Sequence, residues 1–183
     1  MKKLLTIAFA AVTLASCNNS SQKNADNSPG KDSTAMTAEE REERNKQNAL
    51  ATLKAFDGET SVDEVFKFTD KNFKDYGTGE MPPTDYDSTR KGLQEWVNAI
   101  PDYKATDLTA VADGDHVMVY GTWTGTWKNN MMGMNATKKS FKVNDVDIFK
   151  FNDQGRIVEH RAVQPMAEVA RQIGMKMPAQ KKQ

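Results

Sequence analysis

Up to about residue 100 the apolar residues of the chain recur at helical spacing, and from Lys104 onward apolar and polar residues alternate. In "TAEEREERNKQNALATLKAFDG", residues 37–58, a polar first half gives way to Ala49, Leu50, Leu53 and Phe56 on one helical face. This predicts a long first helix, exposed at its start, packed at its end and stopped near Gly58. Thr37 with Glu40 supplies its capping box, and Ser61 with Glu64 repeats the pattern before a short second helix in "SVDEVFKF". The segment "DYGTGEMPPTDYDS" reads as a loop, and "TRKGLQEWVNAI" as a third helix ended by Pro101. Alternation then predicts strands in "KATDLTAVA" and "HVMVYGTWTGTW", joined by the turn "DGD", and in "KSFKVNDVDIFKF" and "GRIVEHRAV", joined by "NDQG". "KNNMMGMNATK" is a loop between the two pairs, and Pro165 can open a last short helix, "MAEVARQIGM". Helices followed by a run of antiparallel strands specify an α+β fold, with the helices on one face of a curved sheet.

The N-terminal residues follow a different rule. Lys2 and Lys3 precede "LLTIAFAAVTLA", an apolar run too short to span a bilayer, and small residues lead into the only cysteine in "LASC", residues 14–17. This resembles the lipobox of bacterial lipoproteins. The resemblance implies cleavage before Cys17 and acylation of Cys17, so that the mature chain is held by lipid at the bacterial envelope, on the periplasmic side of the outer membrane. Residues 18–36 carry almost no apolar side chain and cannot offset their ordering entropy by burial, so they are expected to form a flexible tether. The expected organisation is a signal peptide over 1–16, a lipid-anchored tether over 17–36 and one folded domain over 37–183.

Composition narrows the function classes. Twenty-five basic and 25 acidic residues balance to a formal charge of zero, which provides no footprint for nucleic acid. The two histidines, His116 and His160, lie far apart with no HxH or HExxH spacing, and no ligating cysteine accompanies them, so no metal is expected. There is no Gly-rich phosphate loop and no Ser-His-Asp order, and no cofactor is implied.

The chemistry with most substance lies in "DVDIFKFNDQGRIVEHRAVQP", residues 145–165. Strand alternation places Val143, Asp145, Asp147, Phe149 and Phe151 on one face, and His160, Ala162 and Gln164 on one face of the neighbouring strand. With a four-residue loop, Asp147 lies opposite His160, while a bulge at Gly155 would shift the register by one. Two carboxylates and an imidazole on one face form either a proton-transfer constellation or a cross-strand ion pair. Trp123 and Trp127 share a strand face, and with Met131, Met132 and Met134 they either line an adaptable apolar pocket or pack as core or oligomer seam.

"GTWTGTW", "MMGMNATKKSFKVNDVDIFKF" and "GRIVEHRAV" together resemble the SnoaL-like branch of the NTF2-like superfamily, over roughly residues 42–175. The resemblance implies a cone of helices around a strongly bent antiparallel sheet that encloses a largely apolar pocket. Cyclases, isomerases, dehydratases and non-catalytic binders share that cone, so the fold does not choose among them. In the cyclases of that family the position matching Ala162 is an acid/base Asp, the position matching Asp147 is a His, and an acceptor position falls near Asp75. The expected pocket residues are Asp145, Asp147, Phe149, His160, Ala162, Trp123 and Met132. Because Ala162 carries only a methyl group, the favoured reading is a non-catalytic binder of a small apolar or amphipathic molecule. The alternative is a small-molecule cyclase, isomerase or dehydratase using Asp147, His160 and Asp75. The resemblance also implies that the domain can form a homodimer through its sheet.

Overall fold

The computed structural model describes residues 36–163 and 166–176, so Cys17 and the expected tether lie outside the described residues, apart from Met36. The first helix, α1 (Ala38–Lys54), starts where its capping box dictates: the Thr37 hydroxyl accepts the Glu40 N–H at 3.2 Å and the Glu40 carboxylate accepts the Thr37 N–H at 2.8 Å. Its buried residues, Asn45, Ala49, Thr52 and Leu53, lie on one stripe that faces the sheet. The second helix, α2 (Val62–Val65), is a single turn. Ser61 stands at its N-cap but makes no side-chain cap bond, so the second capping box of the sequence is not formed, and burial of Val62 and Val65 holds the turn instead. The third helix, α3 (Tyr86–Ala99), begins three residues earlier than the apolar pattern indicates, because Asp85 caps it by accepting the Ser88 N–H at 2.9 Å. The last helix is α4 (Met166–Ile173); its expected opening at Pro165 lies outside the described residues.

The helices pack on a six-stranded, curved, unclosed sheet built from β1 (Thr69–Asp75), β2 (Thr84–Asp85), β3 (Lys104–Asp113), β4 (His116–Thr126), β5 (Ser140–Phe151) and β6 (Ile157–Ala162), in the order β2-β1-β6-β5-β4-β3. The four long strands are those of the alternating pattern. The sheet is not wholly antiparallel, however: β1, which the sequence hides between α2 and α3, runs parallel to β6. Its two buried residues, Thr69 and Phe73, are four apart because the register slips between Thr69 and Lys74, and that spacing imitates a helix.

Two glycines on the buried face of β4 admit close neighbours. A Cβ at Gly121 would stand 2.6 Å from Leu108 Cδ2, and one at Gly125 would meet the Ile100 side chain just after α3, so larger residues there would have to displace those side chains. The core fills the concave side with Val117, Val119, Phe141, Val143, Phe149 and Phe151 from the strands, and with Ile100 and Ile173 from the helix ends. Beyond the end of β6, the Gln172 side chain bonds both the N–H and the carbonyl of Lys142, satisfying part of the β5 edge from α4.

Candidate functional site

The site depends on the register between β5 and β6, which the loop sets. Gly155 donates its N–H to Asn152 O at 2.9 Å with φ +73°, and Asn152 donates to Arg156 O at 2.9 Å, which makes a type I turn closed by a glycine bulge. Asn152 Oδ1 also accepts the N–H groups of Gln154 and Arg156. This turn moves the pairing one step from the four-residue loop, to Phe151 opposite Ile157. A second irregularity between Lys150 and Phe151 moves it another step, so His160 lies opposite Phe149, and Asp147 lies opposite Ala162. The direct Asp147–His160 pairing is therefore corrected to a diagonal one. The two shifts preserve facing: one alone would have turned His160 to the other side of the sheet.

Because β1 runs beside β6 with Asp75 paired to His160, the imidazole stands between carboxylates from both neighbouring strands. His160 Nδ1 is 2.9 Å from Asp75 Oδ1 and Nε2 is 2.9 Å from Asp147 Oδ1. The side chains are 20% (His160), 21% (Asp75) and 9% (Asp147) exposed, so water screens these contacts weakly. Burial works against the imidazolium, but hydrogen bonds to Asp147 and Asp75, and then their charges, outweigh it and raise the His160 pKa to about 10. For Asp75, burial is likewise opposed and overcome, by the hydrogen bond and charge of His160 and by the Gly77 N–H, which leaves its carboxyl below the usual range. Both ring nitrogens thus act as donors at neutral pH, and His160 has no lone pair free to accept a proton.

Asp147 is the member with capacity to spare. Its Oδ1 accepts from His160, while its Oδ2 is buried and has no hydrogen-bond partner. Two residues along the same face, Asp145 Oδ1 accepts the N–H groups of Val146 and Val163. Burial, then the charges of Asp147 and Asp145, push the Tyr103 hydroxyl above its ordinary pKa, which keeps it protonated and places it within reach of both fields. Tyr103 stacks on Trp123 with centroids 5.4 Å apart and meets Trp96 edge-on at 5.8 Å, and the indole N–H groups of Trp96 and Trp123 are also buried without partners. Besides the Thr52 and Thr60 hydroxyls, the buried side-chain atoms without a partner among the described residues are thus one carboxylate oxygen, Asp147 Oδ2, and these two indole N–H donors.

Asp75, Asp147 and His160 are brought together, with Phe149 tilted over the imidazole at 5.2 Å, and Trp123 is buried. Met132 does not join them. It is 75% exposed in its loop, with φ +50°, and Met131 takes the buried position instead. Tyr103 and Trp96 escaped the sequence reading, although "PDY" directly after the third helix marks the place where an aromatic ring could return to the core. A groove of about 330 Å³ between α1 and β3, lined by Glu39, Glu42, Glu43, Lys46 and residues 110–112, contains none of these groups. Among the described residues no three of His, Cys, Asp and Glu are arranged to hold a metal ion.

Compared with known proteins, residues 47–173 match the sequence model of the SnoaL-like polyketide cyclases. The chain belongs to the SnoaL-like polyketide cyclase family. Solved structures of SnoaL-like and related proteins share its fold. A protein from Jannaschia sp. CCS1, described as a SnoaL-like polyketide cyclase, superposes with a TM-score of 0.64 at 18% identity, covering 85% of this chain and 100% of that one. AclR from Streptomyces galilaeus, described as a hydroxylase, gives 0.63 at 21% identity over 75% and 87%. A phenazine biosynthesis-related protein from Pseudomonas aeruginosa gives 0.61 at 14% over 79% and 94%. At these identities the likeness is one of fold. No curated protein matches the chain in sequence.

Within the SnoaL-like frame, the cross-strand pair Asp147–Ala162 occupies the two positions where the resemblance to the cyclases implies a His and an Asp. The imidazole of this chain stands instead at His160, two residues before Ala162 on the same strand. In this chain the acid stands on β5 and the imidazole on β6, and the imidazole is tied to Asp75.

Proposed function

We propose that this SnoaL-like domain binds a small apolar or amphipathic molecule within its cone, at the bacterial envelope, without transforming it. The observation that carries the reading is Asp147 Oδ2, a buried carboxylate oxygen with no partner, on a side chain whose charge acts on Tyr103, which in turn stacks on Trp123. A buried acceptor left unpaired costs about 1–3 kcal/mol, so a molecule that supplies a donor there gains affinity and orientation from one contact. Catalysis by proton relay finds little support in the same groups. His160 is held as an imidazolium with both nitrogens donating, and the residue across the ladder from Asp147 is a methyl group.

The second reading, a cyclase, isomerase or dehydratase, rests on that same oxygen, because a carboxylate fixed through one oxygen and free at the other is also the form of a general base. Native mass spectrometry of the protein purified from its own host tests the first reading. A small molecule that co-purifies and is recovered chemically unchanged after prolonged incubation supports it. Conversion of that molecule would transfer the assignment to the enzyme class.

The outer sheet face supports pairing with a second copy. Val111, Met118, Tyr120 and Val163 are 46–62% exposed there, with Val111 opposite Met118 and Tyr120 opposite Val146 on adjacent strands.

A further inference from the structure

We propose that the loop between β4 and β5 docks on the surface of an anionic phospholipid bilayer, with Met132 entering the interface and a ring of lysines meeting the lipid phosphates. This contact forms independently of the small molecule and of any lipid on Cys17. The first observation is the build of the loop. Residues 127–139 fold back on themselves: Trp127 donates its N–H to Lys139 O at 3.0 Å, and Lys138 donates to Trp127 O at 3.0 Å. Further out, Met131 and Met134 exchange both backbone hydrogen bonds, at 3.2 and 2.9 Å, and Asn130 Oδ1 accepts the Ala136 N–H at 2.9 Å. The base is pinned to the end of α3, where Ala99 O accepts the N–H groups of Lys128 and Asn129. Met132 and Gly133 are left as a two-residue tip, with φ +50° and +71°.

The second observation is the residue at that tip. A hairpin turn with both central residues left-handed is filled without strain by Asn-Gly, and the chain places Met there instead. Met132 is 75% exposed, whereas its neighbour Met131 is 8% exposed and belongs to the core. A lone exposed apolar side chain is ordinary on a protein surface. One held in a left-handed position, where it neither packs nor favours the turn, places the compensation for its strain outside the chain.

The third is the charge around it. From His116 to Asn144 the chain contains no Asp or Glu, and its four lysines there, Lys128, Lys138, Lys139 and Lys142, lie at the base of the loop and the start of β5. The end of α4 lies against the same base: Thr137 donates its hydroxyl to Ile173 O, Gly174 stands beside Lys139, and Lys176 follows. All five lysines are exposed. Asp102 pairs with Lys128 at 3.1 Å, and Glu168 is matched by Arg171 on its own helix, so positive charge stays in excess at this end of a chain that is neutral overall. An apolar tip ringed by lysines matches the bilayer interface, where the side chain reaches the acyl boundary while ammonium groups remain at the phosphates. A nucleic acid offers the phosphates but no apolar layer for Met132.

The test uses the mature chain with Cys17→Ala, made without residues 1–16 so that no acyl chain masks the domain. It is sedimented at millimolar lipid with vesicles of phosphatidylcholine alone and with vesicles containing about one-third phosphatidylglycerol. The expected result is co-sedimentation with the anionic vesicles only, reversed in molar salt. Lys138→Gln combined with Lys139→Gln should weaken that binding roughly 25-fold, about fivefold for each lysine. Met132→Asn suits the left-handed turn and should leave Tm unchanged or raised, yet weaken binding by about fivefold or more. Absence of sedimentation with the anionic vesicles, equal sedimentation with the neutral ones, or Met132→Asn binding as well as its parent overturns the inference, as does tighter binding to a DNA duplex than to the anionic vesicles. The comparison of the two vesicle types decides even if a loop variant fails to fold.

Discussion

Replacing His160 with Gln removes the one positive group between two carboxylates while retaining bulk and an amide whose N–H donors both sit on one nitrogen. In the folded chain the imidazole makes two hydrogen bonds of 2.9 Å to side chains that are 9–21% exposed. Breaking a buried ion pair by removing one partner costs about 3–5 kcal/mol, because the remaining charges are left uncompensated. The His160 pKa, raised from 6.5 to about 10, has the sign that such a cost requires. A loss of 3–5 kcal/mol in a domain of this size lowers Tm by roughly 6–20 °C. The sign with pH follows from linkage. Because the folded pKa is raised, the contribution of His160 is whole below pH 6.5 and is lost as pH rises through about 10. Because the Asp75 pKa is lowered, its contribution is present above the ordinary carboxylate range and is lost as pH falls through the folded value. Thermal unfolding followed by circular dichroism at half-unit steps from pH 5 to 10.5 is the assay. The parent chain should lose stability steadily between pH 6.5 and 10, and His160→Gln should be much less stable at pH 7 without that slope. A cost under about 1 kcal/mol at pH 7, or the same slope in both proteins, would refute the claim that the imidazole is held charged.

Cys17→Ala is expected to abolish membrane fractionation and palmitate labelling while leaving the Tm of the domain unchanged; labelling that persists in the variant would exclude the lipid anchor. Limited proteolysis should leave a stable core beginning near Met36, and a chain starting at Thr37 should match the Tm of the mature protein within a few degrees. Met118→Lys, which sets a charge in the middle of the exposed apolar face, should convert a dimer to a monomer in light scattering without altering the Tm measured at low concentration. A parent chain that is already monomeric at high concentration would remove the sheet-face interface.

How far the sequence spoke depended on how local the signal was. The Thr37–Glu40 capping box and the alternation from Lys104 to Val163 involve neighbours in the chain, and the corresponding helix and strands form where the pattern placed them. The second capping box shows the limit of a pattern: Ser61 and Glu64 have the right spacing, but a one-turn helix is positioned by its buried valines and makes no cap bond. β1 was hidden because a slipped register spaces its buried residues like a helix. The candidate residues Asp75, Asp147 and His160 were legible as types on strands, but their contact was not. It requires one bulge at Gly155, a second irregularity beyond it and a parallel strand, and no short-range pattern encodes that sum. Met132 was misplaced for a related reason, since three methionines in a four-residue loop segment offer no period that tells inside from outside. Tyr103 and Trp96 join Trp123 from distant parts of the chain, and only the closed fold puts them together.

On the binding reading, Asp147 Oδ2 receives the polar end of a bound molecule that is not transformed. Isothermal titration of the co-purifying molecule into the parent chain and into Asp147→Asn, with product analysis of the same samples, tests it most directly. Unchanged molecule is expected in both samples, with an affinity weaker in Asp147→Asn by about 1.5–3 kcal/mol, the worth of one charge-assisted hydrogen bond, or roughly tenfold to 150-fold in Kd. Equal affinity in the two proteins would contradict the role of Asp147, and turnover by the parent chain that Asp147→Asn loses a hundredfold or more would contradict the binder and establish a general acid/base in its place.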